Sequence, residues 1–193
     1  MRVVEADTPA TAHDHLDFLL DDGRALRFRD PRRFGTVAWT HRPPLQHPLL
    51  RHLGPEPLAE RFDGAYLHAR AQKRRIAVKP FIMDSRIVVG VGNIYASEAL
   101  FRARIDPRRP AGKISRERYA RLALAIKETL QAAIEQGGTT LRDYLDEKGE
   151  PGYFTLHLNV YGREGEPCPA CRRPIRSQRL GQRSTFFCPH CQR

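Results

Sequence analysis

CPACRRPIRSQRLGQRSTFFCPHC, residues 168–191, contains the 4 cysteines of the chain as two C-x-x-C pairs. Each pair can form a tight turn that offers two thiolates, and two such pairs at this separation are typical of a tetrahedral zinc site. Residues 172–187, between the pairs, are long enough for two short strands and a turn. The stretch therefore predicts a β-hairpin held at its base by one zinc ion. The predicted ligands are Cys168, Cys171, Cys188 and Cys191.

The same cysteines could instead form two disulfides. Disulfide frameworks are typical of small secreted domains, and this sequence has neither a signal-peptide pattern nor a hydrophobic run long enough to span a membrane. A catalytic zinc keeps one coordination position for water, whereas four thiolates fill a tetrahedral shell. We therefore predict one structural Zn²⁺ and no membrane partner.

The charge of the chain indicates a polyanionic partner. The 33 Lys and Arg residues outnumber 22 Asp and Glu, which gives a formal net charge of +11 over 193 residues. Nucleic acid is the first candidate for such a balance, and a basic surface that only keeps the protein soluble is the alternative. The length is sufficient for one substantial domain and a small appendage.

Residues 16–29 have the pattern of a β-hairpin. Apolar side chains alternate with other residues from Leu16 to Leu20 and again from Leu26 to Arg29, with a turn at residues 22–23 between them. The pattern predicts a hairpin with one apolar face. A lone hairpin is marginally stable in water, and mostly polar and small residues precede it, so we expect the chain to open part-way through a larger sheet.

A proline-rich linker over residues 43–57 leads into a helical region. The spacing of apolar residues predicts helices over 58–70, around Pro80, over 93–104, and from a Ser115 cap up to the glycines at 137–138. We assign the apolar stripe of the last helix to the core. Its members are Tyr119, Leu122, Ile126, Leu130, Ala133 and Ile134.

A glycine-bearing loop, residues 90–93, precedes the third of these helices. Its two glycines would let the backbone approach a ligand closely, and the N–H groups that open the helix favour an anion such as a nucleic-acid phosphate. The loop matches neither the dinucleotide fingerprint nor the P-loop. A plain tight turn is the alternative.

Four motifs carry a resemblance to a known family. Residues 83–98, MDSRIVVGVGNIYASE, resemble the helix-two-turn-helix element of bacterial formamidopyrimidine-DNA glycosylases. Residues 30–35, DPRRFG, resemble the family's strand-end loop, residues 149–154 its lesion-contacting loop, and residues 168–191 its zinc finger. The four motifs occur in the family's order and span essentially the whole chain.

The resemblance implies an α+β fold with three parts. Residues 1–42 would be the remnant of an N-terminal β-sandwich whose first part is missing. Residues 43–156 would form the helical, DNA-binding helix-two-turn-helix domain. Residues 157–193 would form the C-terminal four-cysteine zinc β-hairpin.

The resemblance also implies roles for individual residues. Arg32 would face the base left unpaired by the lesion, and Phe34 would wedge into the base stack. If residues 32–34 are extended, the Arg32 and Phe34 side chains lie on the same side of the backbone. One could then place a cation beside a base while the other wedges into the stack from which that base is evicted. A turn that buries Phe34 in the core is the alternative.

Further residues would contact the DNA backbone, which positions a protein without reading sequence. The resemblance assigns such contacts to His13, Arg32 and Arg74, and it makes Lys79 and Asn93 grip phosphates near the lesion. Arg183, on the zinc hairpin, would contact flanking phosphates and act in the late strand-cleavage step.

The implied activity is that of a bifunctional DNA glycosylase and AP lyase that removes oxidised purines, 8-oxoguanine and formamidopyrimidines, from damaged duplex DNA. The family's nucleophile is an N-terminal proline amine that forms a Schiff base with the sugar, followed in sequence by a glutamate and later a lysine. Here Met1 and Arg2 occupy the first positions, and the nitrogen of Pro9 lies in a peptide bond. We therefore expect a truncated chain that binds DNA weakly and excises nothing.

Three other functions stay open at this point. An endonuclease VIII-like glycosylase for oxidised pyrimidines shares the helical and zinc elements, although residues 30–35 and 148–154 favour the purine enzyme. A damaged-DNA-binding module without catalysis is the second. A ribosomal or transcriptional zinc-ribbon protein is the third, but it leaves the first 160 or so residues unexplained. For the favoured function we expect a monomer in the bacterial cytoplasm, associated with the nucleoid.

Overall fold

The computed structural model describes residues 1–135 and 158–193. Strands and helices within these ranges are numbered in chain order. They are β1 (Arg2–Glu5), β2 (Asp14–Leu19), β3 (Arg24–Arg29), α1 (Gly64–Ala71), α2 (Val78–Ile82), α3 (Asn93–Arg102), α4 (Arg116–Glu135), β4 (Arg176–Leu180) and β5 (Arg183–Phe187).

The first part of the chain forms an antiparallel sheet with the order β1-β3-β2. The predicted hairpin is confirmed as β2 and β3, but the prediction missed β1, whose Val3 pairs with Leu26 across from Phe18. Directly paired residues share a face, so these three apolar side chains form one row across the sheet. This apolar face is only partly covered, because Val3 and Phe18 stay exposed.

The opposite face of the sheet carries the better-buried side chains, Ala25 and Arg27. The Arg27 guanidinium donates to both carboxylate oxygens of Asp17, at 2.9 and 2.8 Å, and to the carbonyls of Thr8 and Pro9. A buried charge is tolerated only when it is paired and hydrogen-bonded, and here both conditions are met. Arg27 therefore holds the connection between β1 and β2 against the sheet.

The helical region begins later than the sequence predicted. Residues 58–62 form turns, and α1 starts only at Gly64, because the Asp63 carboxylate caps the helix by accepting the N–H of Tyr66 at 2.7 Å. The predicted start at residue 58 is therefore wrong. Gly64 is also required by packing, since a Cβ there would lie 2.3 Å from the Cα of Ala120 on α4.

The two helices that follow match their predictions more closely. Pro80 lies in the first turn of α2, where its missing N–H costs no helical hydrogen bond. The loop into α3 turns at Gly90, whose φ of +75° is readily adopted by glycine, and α3 begins at Asn93. Helix α3 ends at Arg102, two residues before the expected end.

Helix α4 provides the central surface of the helical region, and α1 and α3 pack against it. Ser115 precedes it, and its hydroxyl accepts the N–H of Arg118. The predicted apolar stripe is buried except for Ile134, which is 62% exposed and was wrongly assigned to the core. No helix in residues 1–135 or 158–193 combines the length and apolar character needed to cross a bilayer.

The C-terminal part is the predicted β-hairpin. Strands β4 and β5 pair antiparallel from Arg176 opposite Phe187 to Leu180 opposite Arg183. Strand β5 contacts α3, and the Gln192 side chain joins the two regions by accepting the N–H of Cys188 and donating to the carbonyl of Ile105, both at 2.9 Å. The zinc hairpin is thus docked on the helices.

Candidate nucleic-acid interface and zinc site

The four cysteine sulfurs converge at the base of the hairpin. All four Sγ atoms lie within 4.8 Å of one another; Cys168 and Cys191 are separated by 3.9 Å, and Cys171 and Cys188 by 3.5 Å. A disulfide requires about 2.05 Å, so the disulfide alternative is wrong. Zinc–sulfur bonds of about 2.3 Å in a tetrahedron place sulfurs roughly 3.8 Å apart. The observed spacing fits one structural zinc ion.

The turns at the two cysteine pairs have the local geometry that a zinc site needs. In the first turn, Arg172 adopts a left-handed conformation with φ of 64°, and its N–H donates to the carbonyl of Cys168 at 2.9 Å. The backbone N–H of Arg173 lowers the pKa of Cys171, whereas burial raises the pKa of Cys188 and of Cys191, so without a cation the four sulfurs do not all favour the thiolate form. The second turn closes in the same way, from the N–H of Gln192 to the carbonyl of Cys188.

Lys79 lies at the junction of α2, α3 and the zinc hairpin. The residue is 1% exposed. Its Nζ donates to Asn93 Oδ1 at 2.7 Å, to the carbonyl of Ser184 at 2.9 Å and to Thr185 Oγ1 at 2.9 Å. The three donors of the ammonium are therefore matched by three neutral acceptors.

The charge at this junction is positive. Burial, and then the neighbouring charge of Arg183, lower the pKa of Lys79 to about 8. Ion pairs formed by described residues include neither Lys79 nor Arg183. Two adjacent cations without a carboxylate partner make the junction attractive to an anion.

The loop of residues 30–35 presents an arginine and an aromatic ring together. Phe34 is 81% exposed, so the alternative that buries it in the core is wrong. The expected extended chain is also wrong, because Arg33 adopts φ of 55° and its N–H donates to the carbonyl of Asp30. The Arg32 guanidinium nevertheless lies 5.5 Å from the centroid of the Phe34 ring, in a cation–π contact across this turn.

Asp30 stabilises this turn from within. Its carboxylate accepts the N–H of Gly35 at 2.6 Å, and this hydrogen bond is the main cause that lowers the pKa of Asp30. The N–H of Asp30 donates to the carbonyl of His13, so the backbone of His13 borders the same loop. The side chain of His13 is exposed.

Arg74 is the remaining residue with an expected DNA contact. It is exposed in the connection between α1 and α2, and its carbonyl accepts the N–H of Gly112 at 2.9 Å. No side-chain hydrogen bond within the described ranges joins Arg74 to the cluster at Lys79. The fold therefore brings together Lys79, Asn93 and Arg183, and separately Arg32, Phe34 and the backbone of His13.

Comparison with known proteins assigns the chain as a whole. Three family models match it: the formamidopyrimidine-DNA glycosylase N-terminal domain at residues 1–37, the formamidopyrimidine-DNA glycosylase H2TH domain at 53–144, and the zinc finger found in FPG and IleRS at 165–193. The formamidopyrimidine-DNA glycosylase of Syntrophotalea carbinolica is 62% identical over 193 residues, which are 100% of this chain and 71% of that protein. That of Methylococcus capsulatus is 58% identical with the same coverage.

The chain belongs to the formamidopyrimidine-DNA glycosylase family.

Solved structures of the family have the same fold. The MutM (Fpg) protein of Thermus thermophilus superposes with a TM-score of 0.85 at 43% identity, over 95% of this chain and 70% of that one. Lactococcus lactis Fpg in complex with DNA that contains an abasic site superposes with a TM-score of 0.84 at 33% identity, over 100% and 70%. The α+β fold and the family resemblance are both confirmed.

Within this formamidopyrimidine-DNA glycosylase fold, sequence reasoning missed several groups. Thr185 and the carbonyl of Ser184 are acceptors for Lys79, and the hydroxyl of Tyr161 accepts the side-chain amide of Asn93 at 3.2 Å. Glu98 is buried and accepts N–H groups from residues 159–161. A carboxylate inside an otherwise apolar stretch of helix was the available signal for Glu98. The expected lesion-contacting loop, residues 149–154, lies outside the described residues.

Proposed function

We propose that this protein acts in base-excision DNA repair as a bifunctional DNA glycosylase and AP lyase. The substrate class is duplex DNA with oxidised purines, namely 8-oxoguanine and formamidopyrimidines. Membership of the family supports this, since relatives carry the glycosylase name and the Lactococcus lactis Fpg structures contain Fapy-dG or abasic-site DNA. The observation that carries the proposal is the convergence of Lys79, Asn93 and Arg183 from parts of the chain up to 104 residues apart.

In this proposal the Lys79 junction binds DNA phosphates beside the lesion. Arg183, exposed at the start of β5, makes the direct ionic contact, and the amide of Asn93 at the first turn of α3 adds a polar one. Lys79 is almost fully buried, so it adds positive charge below the protein surface and does not contact the phosphate directly. Such contacts position the duplex without reading its sequence.

The loop of residues 30–35 is proposed to enter the duplex. An enzyme that acts on a base must first take it out of the stack, and an inserted side chain lowers the cost of the vacated space. Phe34 has the exposed aromatic ring that a wedge needs, and Arg32 lies beside it as a donor toward the unpaired base. His13 and Arg74 are proposed as additional contacts to the DNA backbone.

For catalysis we propose that Arg183 assists the late strand-cleavage step as a proton donor. Its proposed place next to the phosphates of the lesion supports this role. The family resemblance assigns the nucleophile to a proline amine, whereas the carbonyl of Pro9 here accepts a hydrogen bond from Arg27 and its nitrogen is in a peptide bond. For a polypeptide of only these 193 residues, in which no proline amine is free, we therefore propose binding to damaged DNA without excision; the glycosylase and lyase activities proposed above require a proline amine that these residues do not provide.

The proposed domain division is 1–42 for the sheet, 43–156 for the helix-two-turn-helix domain and 157–193 for the zinc finger. The three-stranded sheet before the helices and the two-stranded hairpin after them support a division into three parts, and the boundary at 156–157 lies outside the described residues. We further propose that the protein works as a monomer in the bacterial cytoplasm, at the nucleoid.

Binding to a duplex with a stable abasic-site analogue tests the phosphate site. Arg183→Ala should weaken binding and reduce the slope of log K against log salt by about one, as expected for one lost phosphate contact. Arg179→Ala, on β4 of the same hairpin, is the matched control and should change affinity less. Equal effects of the two variants would contradict a specific role for Arg183 and favour a diffuse basic surface.

A further inference from the structure

Glu98 is a buried carboxylate to which the proposed function gives no role. It lies in α3, is 2% exposed, and forms no ion pair within residues 1–135 and 158–193. Removing a carboxylate from water without a compensating partner is strongly unfavourable. Its burial therefore requires hydrogen bonds, and the structure contains four.

The four donors come from three consecutive residues, 159–161, at the start of the zinc-finger part and before its first cysteine pair. Oε2 of Glu98 accepts the backbone N–H and the side-chain amide of Asn159, each at 2.9 Å. Oε1 accepts the N–H groups of Val160 and Tyr161, also at 2.9 Å. Hydrogen bonds to an ionised acceptor are stronger than neutral ones, so the conformation of residues 159–161 depends on this carboxylate.

Tyr161 links this segment to the proposed phosphate site. Its hydroxyl accepts a hydrogen bond from Nδ2 of Asn93 at 3.2 Å, and Oδ1 of Asn93 accepts a hydrogen bond from Nζ of Lys79 at 2.7 Å. Both ends of the Asn93 amide are therefore held. The Tyr161 ring is itself supported by Phe186 of β5, at 5.0 Å between ring centroids.

A second side chain supports the same segment from the other direction. The guanidinium of Arg163 donates to the carbonyls of Leu158 at 3.3 Å and Asn159 at 2.9 Å. Arg163 therefore binds carbonyl groups of this segment, and Glu98 binds the N–H groups of the same segment. The backbone before the first cysteine pair is therefore held through both its N–H and its carbonyl groups.

We propose that Glu98 is a positioning residue for phosphodiester binding. It does not touch DNA. It holds residues 159–161 so that the Tyr161 hydroxyl orients the Asn93 amide, which in turn faces the phosphate. This inference rests on the proposed phosphate contact of Asn93, and its test separates the two.

A double-mutant cycle on DNA affinity tests the proposal. The proteins are wild type, Glu98→Gln, Asn93→Ala and the double variant, with a duplex containing a stable abasic-site analogue as the probe. Glu98→Gln keeps the side-chain volume but places an amide N–H₂ group opposite N–H donors. We expect this variant to weaken DNA affinity about tenfold. In the Asn93→Ala background, the same substitution should weaken DNA affinity by less than about twofold. Thr129→Val, at a buried polar position of α4 whose hydroxyl has no hydrogen-bond partner among the described residues, is the matched control and should stay within about twofold of wild type.

Three outcomes would contradict the proposal: two of them contradict the role of Glu98, and the third contradicts the phosphate contact of Asn93. Equal losses from Glu98→Gln in both backgrounds would mean that Glu98 acts on general stability and not through Asn93, and unchanged affinity of Glu98→Gln would remove any role. No loss from Asn93→Ala alone would instead contradict the phosphate contact on which the inference rests. If Glu98→Gln fails to fold or to retain zinc, Glu98→Asp, which keeps the charge on a shorter side chain, enters the same cycle with the same criterion of non-additivity.

Discussion

Lys79 and Thr185 are joined by a 2.9 Å hydrogen bond although 106 positions separate them in the chain. The bond connects a five-residue helix of the helical region to the second strand of the zinc hairpin. Because the same ammonium also binds Asn93, the orientation of the hairpin, the start of α3 and the local positive charge depend on one side chain.

We expect Lys79→Met to weaken DNA binding and to loosen the docked hairpin. The change leaves Asn93 Oδ1 and the Ser184 carbonyl without their donor, and an unsatisfied buried polar group costs about 1–3 kcal/mol. Amide hydrogen exchange of β5 should become faster while the zinc content stays at one ion. Lys127→Met, which removes a lysine bonded to the carbonyl of Ala59, is the control. Unchanged exchange in β5 would show that the hairpin is held without Lys79.

DNA affinity should fall as the pH rises through about 8. Burial and the charge of Arg183 lower the pKa of Lys79 to about 8, so the ammonium attracts phosphate below this pH and loses its charge above it. Dissociation constants at constant ionic strength from about pH 7 to about pH 9.5 measure this, and Lys79→Met should show a flatter profile. An identical profile in the variant would assign the titration to another group.

Loss of zinc should weaken DNA binding because the hairpin that carries Arg183 loses its order. Cys171→Ser leaves three thiolates for a tetrahedral ion, and we expect zinc release, loss of hairpin order and weaker binding to an abasic-site duplex. Metal analysis and affinity are measured on the same sample, with Gln178→Ala on β4 as the control. Zinc loss at unchanged affinity would show that the hairpin does not support a DNA contact.

Phe34→Ala should weaken DNA binding without changing the stability of the protein. The ring is 81% exposed, so its removal should change the free energy of unfolding by no more than about 0.5 kcal/mol. Binding to a duplex with an abasic site should weaken, because no wedge enters the stack. Trp39→Ala, which removes an aromatic ring that is 85% exposed nearby in the chain, is the matched control. Equal losses from both would indicate non-specific stacking.

Borohydride trapping tests the proposed lack of excision. A polypeptide of these 193 residues should form no covalent adduct with a duplex that contains 8-oxoguanine, because its prolines have no free amine. The formamidopyrimidine-DNA glycosylase of Methylococcus capsulatus is the positive control. An efficient adduct with this polypeptide would contradict the expectation and would implicate the amine of Met1 or Lys79.

The zinc hairpin and most of the helical region could be predicted from local sequence. Two C-x-x-C pairs dictate a tetrahedral site because thiolate chemistry and turn geometry act over a few residues, and Pro80, Ser115 and the stripe of α4 mark helices in the same local way. The start of α1 was misplaced because the cap at Asp63 outweighed the apolar spacing before it. Strand β1 was missed because a four-residue strand is defined by its partner, β3.

Only the tertiary structure decided which functional residues meet. The sequence by itself determined the family, the ligand set of the zinc and the basic character of the chain. It contained no signal that Lys79 would be buried with its ammonium against β5. It marked Glu98 as an unusual carboxylate but did not identify residues 159–161 as its partners, since both contacts cross long stretches of chain. Hydrogen bonds between distant segments are strong where burial excludes water from around them, and a linear pattern of residues does not record that environment.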